Sequence, residues 1–322
     1  MNQKHRKLHK FLIRLFSIAT FILTPVVIFA IILSIFFISV AKREMAADVE
    51  QKARVISIQE SRIFNGIRNT LLGVSQFSEI KSGNRESCDK TFAVLLDHIN
   101  NPEEQFLNLG IADVNGDIVC NALPLTGKFN IADRDYFKRT VASRDFSLGN
   151  YQIGRATNQE TINFGYPIID ETGSVKYVVF LALDLKTLNN IIGKIDKSLD
   201  NSLTVTDENH NILVRYPTNP DFIGKIYKNK NVIEEHESNE GSAEVMDIDG
   251  VPRIIGFSTV RTPNGVGHFN IIVGVSSSDL FANFLPSLSL FWILILAVFL
   301  VLMFVAGWYV SGKIIVHLRE EK

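Results

Sequence analysis

Ile-Ala-Asp-Val-Asn-Gly-Asp-Ile-Val-Cys at 111–120 and Val-Thr-Asp-Glu-Asn-His-Asn-Ile-Leu-Val at 205–214 decide how this chain is read. Each stretch is an apolar run, a polar turn and a second apolar run. Asp113, Asn115, Gly116 and Asp117 supply the turn chemistry in the first copy. Asp207, Asn209, His210 and Asn211 supply it in the second. A strand–turn–strand pattern met twice is an internal repeat.

The correspondence runs on. Gly165-Tyr166 and Gly256-Phe257 each open a hairpin, with turns at Glu171-Thr172-Gly173 and Pro263-Asn264-Gly265. Buried-type strands follow at 178–183 and 271–275, and each ends in an Asp-Leu pair, Asp184-Leu185 and Asp279-Leu280. Either Asp is well placed to cap a helix. The spacing predicts two copies of one antiparallel α/β unit, at 103–184 and 200–279, joined by a helix over 185–194. The second copy is leaner and lacks the insertion that carries Asp133 to Arg155 in the first.

Outside the repeat lie two apolar runs, 15–40 and 288–310. Each exceeds the roughly 20 residues that cross a hydrocarbon core as helix. Lys4, Arg6, Lys7, Lys10 and Arg14 precede the first, and Lys313, Arg319 and Lys322 follow the second. This charge bias predicts cytoplasmic termini, 1–14 and 311–322, and an outer region at 41–286. A cleaved signal peptide with a site at Ser39-Val40-Ala41 is the rival reading, but its apolar core would span only about 7–15 residues. The outer region carries 25 basic and 32 acidic residues, a balance that disfavours nucleic acid or anionic lipid as partners.

The only two cysteines, Cys88 and Cys120, both fall in that outer region. An oxidising compartment would let them pair, closing a loop worth roughly 3 kcal/mol. Two buried free thiols are the alternative. A helix is predicted over 42–80, ended by Gly83-Asn84, and Val49, Ile56 and Ile63 repeat along it every seventh residue. Ala53, Ile67 and Val74 lie near the companion position, making a partial heptad seam. That seam pairs either with a second copy of the chain or with its own globular part. A shorter helix carrying Cys88, Phe92, Leu95 and Leu96 follows.

Enzyme constellations are missing. The seven histidines have no metal-ligand spacing, and there is no Gly-x-Ser-x-Gly or phosphate-cradling loop. Asp-x-Asn-x-Asp at 113–117 begins like a calcium loop, but Pro124 stands where the twelfth-position carboxylate belongs. No catalytic residue, metal or cofactor is expected.

The informative cluster is Asp133-Arg134-Asp135-Tyr136-Phe137-Lys138-Arg139, followed by Gly149-Asn150-Tyr151-Gln152-Ile153-Gly154-Arg155. Aromatics with one or two convergent charges are what small-ligand pockets use, and Arg134 could fork onto a carboxylate. Each residue also has a plain reading: Asp133 and Asp184 as helix caps, Tyr136 and Phe137 as core, Lys138 and Arg155 as solvated charges, Arg134 as a partner of Asp184.

Two spans, a long first helix, two tandem units and the string Asp133-Arg-Asp-Tyr-Phe137 together resemble the double Cache sensor domains of bacterial receptors. The Cys88–Cys120 pair, Gly165-Tyr-Pro-Ile168 and Leu183-Asp-Leu185 also suit that family. The resemblance implies an α+β fold: a long N-terminal helix with two tandem PAS-like (Cache) antiparallel-sheet units, flanked by two transmembrane helices. The membrane-distal unit would be 85–184 and the membrane-proximal unit 195–279. It implies a periplasmic small-molecule sensor in a bacterial inner-membrane homodimer. The output would lie beyond Lys322: a diguanylate cyclase first, a histidine kinase or chemotaxis module next. A stand-alone anchored binding protein is the alternative.

Carried over to this chain, the family's amino-acid pattern puts Arg134 on the ligand carboxylate and Tyr136, Phe137 and Tyr151 in the wall. Asp184 suits the second amine-binding Asp, while the first is replaced near Ile153. With only half of the ammonium acceptors present, a carboxylate or other small anion is favoured over an amino acid. The proximal unit, lacking the aromatic–Arg insertion, is expected to be a spacer.

Overall fold

The computed structural model describes residues 3–100, 105–189, 202–236, 239–262, 264, 266–278, 290–301 and 304. The chain divides into two compact units, 45–276 and a second made of 1–44 with 277–322. Helix α1, Gln3–Val74, begins in the smaller unit and contains Pro25. Among the described residues it is the one helix long and apolar enough to cross a membrane, with a mean hydropathy of 2.6 in its most apolar window. Phe29, Ile32 and Phe36 on it are exposed. Of the predicted second span, Leu290–Val301 is an apolar helix; the rest, apart from 304, lies outside the described residues, as does Asp279-Leu280.

The larger unit holds both copies of the repeat. The distal copy contains β1 (Phe106–Asp113), β2 (Ile118–Asn121), β3 (Ser147–Leu148), β4 (Gln152–Ile153), β5 (Glu160–Ile169) and β6 (Val175–Asp184). The strand order is β2-β1-β6-β5-β3, and β4 also pairs with β5. The proximal copy contains β7 (Ser202–Asp207), β8 (Ile212–Tyr216), β9 (Glu240–Met246), β10 (Pro252–Arg261) and β11 (His268–Ser276), ordered β8-β7-β11-β10-β9. The two sheets therefore share one path, and all pairings are antiparallel.

The repeated turn is the same object twice. Asp113 Oδ1 accepts from the amides of Asn115 and Asp117, both at 2.9 Å. Asp207 Oδ1 accepts from the Asn211 amide at 2.8 Å. Gly116 and His210, each three residues after the Asp, take positive φ of 85° and 62°. A side chain in that region is uncommon but histidine enters it more readily than most.

Three expectations need correction. The predicted helix over 42–80 ends at Val74; a turn intervenes, and α2 (Ser78–Ser82) closes on Gly83 in the left-handed region. The two glycines read as hairpin openers lie in mid-strand instead, because each hairpin begins several residues earlier. The proximal copy is not without an insertion either: a 3-10 turn at Pro220–Phe222 and a short helix at Lys230–Glu234 sit between β8 and β9.

The heptad seam is used inside the chain. Val49 and Ala53 are fully buried, and Ile56, Ile67 and Val74 are 5% exposed. Gly256 lets the α1 backbone at Val49 lie directly on β10, where a Cβ would meet the Val49 carbonyl. Ser258 donates to Ser57 at 3.1 Å. The Phe64 ring lies 6.1 Å from Phe164 of β5 and 4.9 Å from Phe269 of β11. Of the two readings of this stripe, pairing with a second copy gives way to packing inside the chain: its own two sheets cover it. Helix α3 (Arg85–Ile99) packs on β1 and β2, and Cys88 and Cys120 form a disulfide there, with Cα atoms 5.9 Å apart.

Candidate functional site

A pocket opens on the distal sheet. It encloses about 410 Å³ of space free of atoms, part of it continuous with solvent. Its floor is one row of the sheet. Asn108 of β1 pairs with Ala182 of β6, which pairs with Asn163 of β5, and all three line the pocket. One wall is the start of α4 (Asp135–Ser143) with the chain before it, contributing Ile131, Arg134 and Tyr136. The other wall is 152–157, contributing Gln152, Gly154, Arg155, Ala156 and Thr157. Ile118 and Phe129 complete an apolar side.

Helix α4 reaches the sheet because of Gly165. A Cβ there would collide with Thr140 Oγ1 and stand 3.2 Å from the Tyr136 carbonyl. Tyr136 and Thr140, four residues apart on one helix face, are 2% and 0% exposed. Burial pushes the Tyr136 hydroxyl well above the usual phenol range, so it is a neutral hydrogen-bonding group.

The charges arrange themselves differently from expectation. Arg134, not Asp133, holds the N-cap position of α4, with φ −76° and ψ 136°. Asp133 instead accepts both Nη atoms of Arg155 at 2.7 Å. These hydrogen bonds are the main cause that holds the Asp133 carboxyl below its ordinary range and raises the Arg155 guanidinium. Arg155 also donates to the Asn130 carbonyl. The Arg134 guanidinium makes one hydrogen bond among the described residues, a long 3.3 Å contact to the Ile153 carbonyl. It does not meet Asp184.

Of the predicted site residues, Arg134 and Tyr136 come together in the pocket. Phe137 turns into the core with Ala112, Val178 and Phe180, behind Tyr136. Tyr151 donates to Glu160 at 2.9 Å; burial first, then that bond, push its hydroxyl up to about 12. Asp184 accepts from the Lys186 amide at 3.1 Å, the capping role, at the start of the helical residues 185–189. Arg155, expected in solvent, is a pocket residue. Asn108, Asn163 and Thr157 escaped sequence reading. The two asparagines had a signal: each interrupts an apolar strand, Leu107-Asn108-Leu109 and Ile162-Asn163-Phe164, and is buried.

The lining thus presents two guanidinium groups, neutral amides and a phenol, with no carboxylate of its own. Asn108 is committed on both sides, donating to Asn121 at 2.9 Å and accepting from the Leu109 amide at 3.0 Å. Thr157 Oγ1 is buried without a hydrogen-bond partner. Among the described residues no cluster of His, Cys, Asp and Glu could hold a metal ion.

The family model dCache_1, described as "Cache domain", matches residues 37–284. Sporulation kinase D of Bacillus subtilis (strain 168) is 25% identical over 168 residues, 52% of this chain; the match spans 33% of that kinase's length. Among solved structures, the extracellular domain of rpHK1S-Z16, assigned as a histidine kinase, shares 15% identity at a TM-score of 0.60, covering 73% of this chain and 95% of its own. The ligand-binding domain of the Pseudomonas fluorescens chemoreceptor CtaA, in complex with L-isoleucine, shares 19% identity at 0.57, covering 76% and 97%. That of the Pseudomonas aeruginosa amino acid chemoreceptor PctB, with L-Gln, shares 18% at 0.53, covering 73% and 92%. With a matched sheet order, a long first helix and a family model over most of its length, this chain belongs to the Cache domain family.

Proposed function

We propose that this chain is the sensing half of a transmembrane receptor and that its distal pocket binds a small carboxylate. The observation that supports this is the charge of the lining: Arg134 and Arg155 face the cavity, and no carboxylate does. Arg134, with most of its donors uncommitted, takes the ligand anion. Tyr136 is the wall and Phe137 backs it. Tyr151 and Asp184 hold the frame around the site rather than the ligand itself. An ammonium group would need acceptors, and Asp184, which caps a helix, is not among the residues that line the cavity. The α-amino acids bound by CtaA and PctB are the second reading, favoured by the shared fold.

The receptor is placed in the bacterial inner membrane with two spans, 15–40 and 288–310, cytoplasmic termini and the 41–286 region outside. Its output is a signalling enzyme, carried on the same chain or a partner: a kinase, as in the Bacillus relative, or a diguanylate cyclase. For a homodimer, the outer face of α1 offers Val55 and Ile58, 48% and 55% exposed.

Thermal unfolding of the full chain in detergent, with sodium salts of small carboxylic acids against α-amino acids, tests the ligand class. A carboxylate at a hundred times its Kd adds about 2.7 kcal/mol to stability, and Arg134→Ala abolishes that gain. Stabilisation by amino acids alone, or a carboxylate effect untouched by Arg134→Ala, sinks the proposal.

A further inference from the structure

The geometry points to the β7–β8 turn, residues 207–211, as the joint through which the distal pocket and the proximal sheet are coupled, with Arg139 and Asn150 as positioning residues. This rests on reading the distal cavity as the sensing site. Both walls of that cavity end on the same turn. On the helix wall, Arg139 lies three residues past Tyr136, one turn along the same helix. Its guanidinium pairs with Glu208 of the turn and donates to the Leu148 carbonyl at 2.7 Å. On the loop wall, the amide of Tyr151, next to Gln152, donates to Asp207 Oδ2 at 2.8 Å. Asn150 bridges the two, donating at 2.8 Å to Asp135 of α4 and at 3.4 Å to Glu208.

Asp207 is itself the residue that shapes the turn. It is fully buried and accepts both the amide and the side-chain nitrogen of Asn211, at 2.8 and 2.9 Å. One carboxylate therefore serves as the turn's internal frame and as the anchor of a pocket wall. A fastening whose only task was to hold two sheets together could sit anywhere on their common boundary. Here, among the described residues, the bonds that reach the turn from the distal copy come from Arg139, Asn150 and Tyr151, each within three residues of a group that lines the pocket. A ligand that draws Arg134 toward the 152–157 wall changes the spacing between Arg139 and Asn150. That is the spacing Glu208 spans. Because α4 is a short rigid helix, displacement at its first turn is delivered at its second.

Hydrogen exchange of the full chain in detergent, without ligand, reads this coupling. Glu208→Ala is expected to raise exchange of the amides at 150–157 about tenfold, while Glu208→Gln, which still accepts from Arg139 and Asn150, raises it about threefold or less. The β10 and β11 amides stay at wild-type rates in both. Coupling between sites is reciprocal, so Arg134→Ala is expected to raise exchange at the His210 and Asn211 amides. Wild-type exchange at 150–157 in Glu208→Ala overturns the proposal. So does acceleration spread evenly over both sheets, the mark of general loosening, or an unchanged 207–211 turn in Arg134→Ala. A joint that passes these tests above a pocket that binds no carboxylate would leave this inference standing and remove only the ligand assignment.

Discussion

The distal and proximal sheets follow one strand path, yet among the described residues one carries a pocket and the other a packed apolar cluster. The difference comes down to what stands on the inner face of equivalent strands. On β5 that face carries Gly165, opposite Phe180, and α4 lies against it. On β10 it carries Phe257, opposite Ile272, fully buried with Tyr227, Ile233 and Ile255. The proximal glycine, Gly256, is one residue away and so faces the other side, toward α1. A one-residue offset in a strand exchanges its two faces, and here it exchanges a cradle for a plug. The proximal end is further closed by a buried ion network. Arg215 and Asp247 are each 2% exposed at the side chain and pair at 2.9 Å, while Arg253 and Asp249 complete the set. The distal guanidinium groups have no comparable enclosure. The repeat thus supplies two frames, and side-chain volume on a single strand separates the one that carries the pocket from the one that carries the packed cluster.

The largest effect should come from breaking the filled side. Asp247→Ala leaves two buried arginines short of a partner, and loss of one member of a buried pair typically costs about 3–5 kcal/mol. Denaturant unfolding measures this, with Asp249 keeping the loss toward the lower end; a change near zero would mean that the network is not what closes the proximal copy. Gly165→Val adds volume where α4 touches β5. Overpacking of this kind costs about 1–3 kcal/mol, and the displaced α4 should also abolish any carboxylate response of the thermal unfolding temperature. An unaltered response would show that α4 tolerates a side chain beneath it and that the glycine-for-phenylalanine contrast is not decisive.

The smallest effect is a pH dependence confined to the boundary between the copies. Burial is the main cause that lowers the imidazoles of both His210 and His268. Glu234 and Asp207 oppose it at His210, where Lys230 adds to it. Arg261, His210 and Arg139 reinforce it at His268, against Asp207. The folded chain therefore holds both rings neutral to lower pH than the unfolded chain does. The unfolded state binds more protons in that window, so stability falls as pH drops through about 6.5 and levels off below the folded values. His268→Gln should flatten the slope, and an unchanged slope would assign the acid sensitivity to other groups.

The parts legible in the sequence were those carried by local pattern. The Asp-x-Asn-x turn announced itself twice because an Asp side chain closes its own turn within four residues. Arg134 and Tyr136 were legible because a charge and an aromatic two residues apart at a helix start suggest a lined cavity. Periodicity along α1 revealed an apolar face but not what covers it, since a sheet and a second helix demand the same stripe. The Asp133–Arg155 pair was invisible for a simpler reason: its members are far apart in sequence, and only folding of the insertion brings them together. Asn108 and Asn163 read as defects in strands, yet their shared row with Ala182 makes them a floor.

Phe64 touches an aromatic ring of each sheet, Phe164 on one and Phe269 on the other. In terms of degrees of freedom, a single side chain is a pivot common to both copies. Any change in the angle between the sheets must open a gap on one side of that ring or compress the other. Losing one such aromatic contact costs about 0.5–1.5 kcal/mol. The coupling free energy that a bound ligand ordinarily delivers is about 1–3 kcal/mol. Breaking one such contact therefore costs no more than the coupling free energy a bound ligand ordinarily delivers.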